Sequence, residues 1–511
     1  ERRNFLLDEN RAEAVERRHS RGRQTVRENI ELLFDEGTFV EYGGLATAKQ
    51  RRRRSMEELR RKTPADGLVA GIGSVNGDLF DELRARAMFI SYDDTVLAGT
   101  QGGRGHEKTD RMVELANKLS LPLIFHCEGA GGRSGDSDSF EGRGFGATVQ
   151  TWDKMCRLSG KVPMIGTVAG WCYAGNAAVL GVTDLIIATE DSLVAMGGPA
   201  TIEGGDMGAF LPEEVGPISD IAPAGSVDLV VKDQAELIAA SKQMLAYFQG
   251  PIDHWECADQ RLLRHVIPEN RVRPFSVRKI IELLADTGSV MELRPEFGVG
   301  MVTALIRIEG HPFGLAANNN EYIGGAIDSP GSDKVARFWQ LCDAWNIPIL
   351  NLVDTPGMMV GPDVEKTGLI RHCARLFVTG ANLKTPRFNV ILRKGYALGS
   401  MAMMTGSSLA GYFTVVWPMG EHGGMNREAG VQLSYRDQLA AIEDVEERAQ
   451  EYQRLLDAAY EAGGALNVGS TFELDDVIDP AETRHRIVQG LKACPNPHPI
   501  RRGRAQFLDT W

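Results

Sequence analysis

The chain has 511 residues, 43% of them apolar and 24% charged, with a formal net charge of −13. Such a length exceeds what one hydrophobic core organises and implies two domains. The acidic balance argues against a nucleic-acid surface that must neutralise phosphates, and no apolar run approaches the ~18 residues of a membrane span.

The first stretch, ERRNFLLDENRAEAVERR, is charged throughout, lacks the apolar core of a signal peptide and has no initiator Met. Residues 51–62, RRRRSMEELRRK, form the strongest charge run. Such a run is most often a solvated helix face or loop; its functional alternative is a dock for an anionic ligand such as a nucleotide phosphate. Next comes a helix with apolar positions at Met112, Leu115, Ala116 and Leu119, which passes through Pro122 into a buried strand, LPLIFHCEG. A second strand, MIGTVAG, ends in the small-residue turn of GWCYAGNAAVL and runs on into a helix. Residues 434–460 read as one long, charged amphipathic helix.

The pattern then recurs. Residues 102–131 match 328–357 at a constant offset of 226, which pairs Gly105 with Gly331, Lys108 with Lys334, Pro122 with Pro348, Glu128 with Asp354 and Gly131 with Gly357. Residues 163–176 match 386–399 at an offset of 223, placing Tyr173 on Tyr396 and Ala174 on Ala397. The same offset would carry Met196-Gly197 onto Met419-Gly420. Two copies of one unit follow, each a helix feeding a parallel strand and then a strand–turn–helix.

The side chains offer little chemistry of their own. Seven cysteines, at 127, 156, 172, 257, 342, 373 and 494, contain no C-x-x-C pair, which excludes a zinc ribbon and fits a reduced, cytoplasmic setting. Cys172 has no base beside it, and its repeat partner is Gly395, so it reads as packing rather than a nucleophile. Histidines 126, 372 and 422 lack the G-x-S-x-G elbow of a serine hydrolase. The stretches GGRSG (131–135) and GRGFG (142–146) match neither a dinucleotide fingerprint nor a P-loop. What remains is main-chain chemistry. Tyr-Ala-Gly-Asn and Tyr-Ala-Leu-Gly each set consecutive N–H groups at a strand-to-helix turn, where they can hold an oxyanion. Two copies would serve a reaction with two enolate-like partners.

These segments resemble the carboxyltransferase component of biotin-dependent acyl-CoA carboxylases. The resemblance rests on RGRQTVRENIELLFDEGTFVEYG (21–43), EGAGGRSGD (128–136), NNNEYIGGAID (318–328), LVDTPGMMVG (352–361), RKGYALGSMAMM (393–404) and WPMGEHGGMNREAG (417–430). It implies an α/β fold of two homologous crotonase-type domains of the ClpP/crotonase superfamily. Residues 1–270 would lie on the acyl-CoA side and 271–511 on the carboxybiotin side. It further implies that the amides of Gly175 and Asn176 stabilise the thioester enolate and those of Leu398 and Gly399 the biotin enolate. Gly131, Gly132 and Arg133 would bind acyl-CoA, Gly357 and Met358 biotin, and Met401 would set acyl specificity. Carboxybiotin would release CO2, the biotin anion would take the α-proton, and the acyl enolate would attack the CO2.

Biotin would arrive on a carrier, with no metal and no nucleotide cofactor beyond the CoA moiety. No biotinyl Ala-Met-Lys-Met segment and no ATP-grasp-like glycine run occurs here, so carrier and biotin carboxylase would be partners. The absent start suggests a domain of a single-chain carboxylase. The family's site forms between subunits, usually in a hexamer. Relatives often carry glycine where this chain has Asn176 and Leu398, which adopt positive φ less readily. Met401, a flexible thioether, suggests a large acyl pocket. Readings kept open are a biotin-dependent decarboxylase subunit, which runs the same two holes in reverse, and a non-catalytic scaffold. A hydratase or thioesterase would leave the second domain without a role.

Overall fold

The structure is a computed structural model that describes residues 2–133, 135–136 and 148–511; Ser134 and the glycine-rich stretch 142–146 lie outside the described residues. Two compact units divide the chain, Glu1–Gly250 with Ile500–Thr510, and Pro251–Pro499 with Trp511.

In the first unit the strands run β1 (Val40–Glu41), β2 (Leu68–Ser74), β3 (Arg86–Tyr92), β4 (Leu123–His126), β5 (Met164–Val168), β6 (Trp171–Tyr173), β7 (Leu185–Thr189), β8 (Leu193–Ala195) and β9 (Leu229–Val231). Seven of them form one sheet in the order β1-β2-β3-β4-β5-β7-β9, while β6 and β8 pair as a separate parallel ribbon. Pairing is antiparallel up to β3 and parallel beyond it. Parallel strands covered on both faces need uninterrupted apolar sequence, and every residue of β4 is buried. The helix Gly103–Leu119 lays Met112, Val113 and Ala116 into the same core as Leu123 and Phe125. Leu119, read as a core position, is instead exposed at the helix end, because Ser120 turns left-handed there at φ +52° and stops the helix.

The second unit repeats the plan with β10 (Met291–Leu293), β11 (Met301–Ile308), β12 (His311–Asn318), β13 (Ile349–Thr355), β14 (Arg387–Tyr396), β15 (Phe413–Val416), β16 (Glu421–Gly423) and β17 (Asp476–Val477). Its sheet order is β10-β11-β12-β13-β14-β15-β17, with β16 on the far end of β14. The helix Ser329–Ala344 feeds β13 as Gly103–Leu119 feeds β4. A buried polar ladder crosses this sheet: Trp339 Nε1 donates to Asn351 (3.2 Å), Asn351 to Asn389 (3.0 Å) and Asn389 to Thr414 (3.0 Å). Each of these buried donors therefore finds a partner, as low-dielectric burial requires.

The repeat is now structural. The left-handed residues Leu97, Ala98 and Gly99 return 226 positions later as Ile323, Gly324 and Gly325. The isolated bridge Gln101–Gly132 returns as Ile327–Met358 at the same offset.

Two expectations change. Strand pairing aligns β8 with β16, since Cys172 faces Val194 as Gly395 faces His422. The offset there is 228, so Met196 corresponds to Gly424 and not to Met419. Residues 434–460 do not form one helix. The helix Arg436–Ala440 ends, and Asp444 caps a new one, Val445–Ala462, by accepting from Glu446 N (2.9 Å) and Glu447 N (2.8 Å). No helix among the described residues is long and apolar enough to cross a membrane.

Candidate functional site

Both strand-to-helix turns are made by an alanine with positive φ, Ala174 at +52° and Ala397 at +54°. An L-residue held there costs of order 1–2 kcal/mol, which the surrounding packing must offset. The strain therefore falls on the alanines; Asn176 and Leu398 have ordinary φ, so the expected difficulty at those two positions does not arise. Each turn opens a short helix, Gly175–Gly181 and Ala397–Met403. Among the described residues no backbone acceptor engages the N–H groups of Gly175, Asn176, Leu398 or Gly399.

Around the first turn the packing uses side chains. Asn176 is fully buried; its Nδ2 donates to the carbonyls of Gly99 (3.2 Å) and Glu128 (3.3 Å), and its Oδ1 accepts from Gly131 N (3.0 Å). One side chain thus ties the helix start to two loops. Gly131, at φ +85°, lies over the turn, where an added Cβ would stand 2.8 Å from Ala174 Cβ and 3.3 Å from Tyr173 O. A Cβ on Gly175 would meet the Gln101 amide, with Cδ at 2.9 Å. Gln101 is itself fixed by Tyr92 Oη (2.9 Å) and by the Gly131 carbonyl (2.7 Å).

Around the second turn the packing uses backbone. Gly357, at φ +131°, sits so close that a Cβ on Gly399 would lie 2.6 Å from its carbonyl carbon and 2.7 Å from its Cα. Gly357 N donates to Thr355 Oγ1 (3.1 Å), Ile327 N donates to the Gly357 carbonyl (3.1 Å), and Met359 N donates to the Ile327 carbonyl (2.9 Å). Met358 bridges Ile327. Leu398 and Met401 are exposed on the short helix.

Arg133 is buried and fully engaged. Its guanidinium donates to Asp66 Oδ1 (2.5 Å), to the carbonyls of Thr100 (2.9 Å) and Asp66 (3.2 Å), and to Asp136 (3.4 Å). Gly132 beside it is exposed. The Cys172 thiol is fully buried, donates to the Cys127 carbonyl (3.0 Å), and is pushed up by that burial and by Glu128. It is packing.

A charge clamp stands behind the first turn. Arg18, from the helix Ala12–His19, forks onto Glu128 at 2.7 and 2.6 Å and reaches Asp94 at 2.9 Å, all three buried or nearly so. Burial alone would raise the Glu128 carboxyl, but Arg18 and His126 outweigh it and hold it at about 2. Burial, helped by Glu128, pushes Asp94 up to about 6. In the second unit Asp354 takes the Glu128 position and accepts from Arg393 Nη2 (3.1 Å) and Lys394 N (2.9 Å).

The sequence had pointed to Asn176 only through its main chain. A polar side chain inside the apolar run AGNAAVL was the available signal, since burial obliges it to find partners. Arg18 and Gln101 carried no such mark. Among the described residues no group of three His, Cys, Asp or Glu side chains is arranged to hold a metal.

Comparisons with known proteins show the family. The family model described as carboxyl transferase domain matches residues 17–499. The methylmalonyl-CoA carboxyltransferase 12S subunit of Propionibacterium freudenreichii subsp. shermanii is 31% identical over 94% of this chain and 90% of that subunit. Among solved structures, a single-chain, multi-domain long-chain acyl-CoA carboxylase superposes with TM-score 0.90 at 50% identity, covering 96% of this chain. The chain spans about half, 48%, of that protein's length. The transcarboxylase 12S hexamer structure gives TM-score 0.81 at 27% identity over 94% of this chain and 91% of that one. Both units are crotonase-type α/β domains, and the chain belongs to the carboxyl transferase family, the carboxyltransferases of biotin-dependent acyl-CoA carboxylases.

Proposed function

We propose that this chain moves a carboxyl group from biotin on a carrier domain to the α-carbon of an acyl-CoA. In this reading residues 1–270 hold the acyl-CoA and 271–511 the biotin. The observation that carries it is the duplicated turn, in which Ala174 and Ala397 adopt the same left-handed φ and leave two consecutive N–H groups ahead of them.

When an acyl thioester loses its α-proton, negative charge develops on the carbonyl oxygen. Gly175 and Asn176 would receive that oxygen with preorganised donors; each such donor is worth roughly 10²–10³ in rate. Carried biotin supplies the carboxyl group as CO2 and a ureido nitrogen able to take the α-proton. The N–H groups of Leu398 and Gly399 would serve the ureido oxygen, and the close approach of Gly357 to Gly399 leaves these donors no slack to move away. Gly131 and Gly132 would border the thioester through their backbone, and Gly357 with Met358 the biotin. Arg133 would act by fixing loop shape, because its guanidinium is already spent on Asp66 and Thr100. The reading needs no side-chain acid or base, no metal and no nucleotide beyond the CoA moiety.

Met401, exposed and flexible, would line the acyl pocket and admit a long chain. Likeness to the long-chain acyl-CoA carboxylase supports this substrate class. Partners would be a biotin carrier and a biotin carboxylase, and the active form a homo-oligomer, for which the hexameric 12S relative is the precedent. All seven cysteines are free, which supports a reduced, cytoplasmic setting.

The test supplies the protein with biotinylated carrier, biotin carboxylase, ATP, bicarbonate and CoA esters of graded length. Carboxylated acyl-CoA should form, faster with long chains than with acetyl-CoA. No product at any length would overturn the carboxyl-transfer reading, and strict preference for acetyl-CoA would overturn the role given to Met401.

A further inference from the structure

The basic run 51–62 takes no part in the two turns, yet it is anchored to the first of them. Seven of its twelve residues are Arg or Lys in a chain of net charge −13. The structure divides it into a turn, 51–54, and the helix Met56–Lys62, whose start is fixed by a capping box between Ser55 and Glu58. Arg53 N and Arg54 N both donate to the Gln50 carbonyl, at 2.9 and 3.0 Å. The Gln50 side chain, itself buried, donates to Asp136 Oδ1 (3.3 Å). Asp136 also accepts from Gly103 N (2.9 Å) and from Arg133 (3.4 Å). The turn is therefore pinned, through one buried carboxylate, to the loop that carries Gly131 and Gly132.

Arg53 reaches that loop directly. A Cβ placed on Gly135 would stand 3.5 Å from Arg53 Nη1. Arg53 is exposed and Arg54 partly so; among the described residues neither guanidinium is held in a hydrogen bond or ion pair, and Arg54 has only the longer-range attraction of Glu58. Elsewhere exposed arginines are commonly paired, as Arg61 is with Glu57 (3.2 Å) and Arg157 with Asp153 (2.9 Å). Two adjacent unpaired guanidiniums on a rigid turn repel each other, a cost that an anion would relieve. Planar forked donors suit phosphate oxygens in particular.

We propose that Arg53 and Arg54 form a subsite for the phosphates of the 3′-phospho-ADP end of the acyl-CoA. The proposal rests on the acyl-CoA reading of the first unit and adds which end of the substrate this turn holds. It acts on affinity and not on the chemical step, because the phosphates lie a pantetheine arm away from the thioester.

The test pairs Arg53→Gln/Arg54→Gln with two substrates, an acyl-CoA and the same acyl group on pantetheine, which lacks the phosphates. For the variant, KM for the CoA ester should rise about tenfold with kcat unchanged, while KM for the pantetheine ester stays put. Adenosine 3′,5′-bisphosphate binding, followed by isothermal titration, should weaken by a similar factor, and its fall with added salt should be shallower in the variant than in the parent. An equal change for both esters, or unaltered bisphosphate binding, overturns the subsite. So does a defect seen only with carrier-borne biotin and absent with free biotin, which would assign the turn to carrier docking. Failure of the underlying function is distinguishable, since the parent protein would then carboxylate neither ester.

Discussion

The two strand-to-helix turns share a positive-φ alanine and differ in what holds it. Asn176 and Gly399 occupy the same repeat position, 223 residues apart. In the first unit the asparagine side chain fills the gap beneath the loop and bonds to Gly99, Glu128 and Gly131. In the second the gap is closed by the loop itself, with Gly357 backbone where a side chain would be. The carbonyl of Gly325, counterpart of Gly99, is held there by Asn318 from β12 (3.4 Å), whose Oδ1 also accepts from Asp354 N (3.2 Å). An amide reaches the same carbonyl from the helix in one copy and from a strand in the other. The positive-φ alanine is thus the shared feature, and the residues that hold it are interchangeable only together with their surroundings.

Transplanting one solution into the other unit should be most damaging at Gly399. In Gly399→Asn the new side chain collides with Gly357 main chain, which has no rotamer to yield. Carboxyl transfer should fall at least about 100-fold, consistent with loss of one or both donors, while titration still detects acyl-CoA binding. A variant within a few-fold of the parent would break the comparison.

Arg18→Met probes the clamp found behind the first turn. It leaves Glu128 buried without its guanidinium, at a cost of roughly 3–5 kcal/mol in denaturant unfolding. The pH dependence follows from the sign of the shift. Glu128 is held at about 2, below its ordinary value, so its contribution is complete above about pH 4.5 and is lost as pH falls towards 2. The parent should lose stability through that window. The variant should gain it on acidification, because its unpaired carboxyl becomes easier to bury once protonated. Parallel pH profiles for the two proteins would dismiss the clamp.

The smallest effect is expected for Asn176→Gly, the reverse transplant. It keeps the main-chain donor but leaves Gly131 N and two carbonyls unpartnered, worth roughly 1–3 kcal/mol, with kcat reduced by about tenfold as the loop loosens. Unchanged unfolding and turnover would mean that the first loop can close down as the second does, and that the side chain is dispensable.

Much of this was legible beforehand, for a local reason. Periodicity marks a helix and an apolar run marks a buried parallel strand, so Gly103–Leu119 into β4 and Ser329–Ala344 into β13 could be read directly. Their constant offset exposed the duplication. Register failed where the chain between matched strands changed length: beyond β14 the offset moves from 223 to 228, and only pairing of β16 with β14 reveals it. The supposed helix 434–460 failed because Asp444 serves as a cap, and a carboxylate within a charged run looks no different from its neighbours until its acceptor geometry is seen.

The sequence by itself determined the α/β class, the two copies, the place of the two turns and the inertness of Cys172, because each rests on residue type or spacing along the chain. Only the tertiary structure decided that alanines take the left-handed strain, that Asn176 bonds through its side chain, that Arg133 is spent internally, that Arg18 stands behind the first turn, and that the turn 51–54 is pinned to the loop beside it. Those facts join residues up to 110 positions apart, and such contacts depend on which groups burial brings together and obliges to pair.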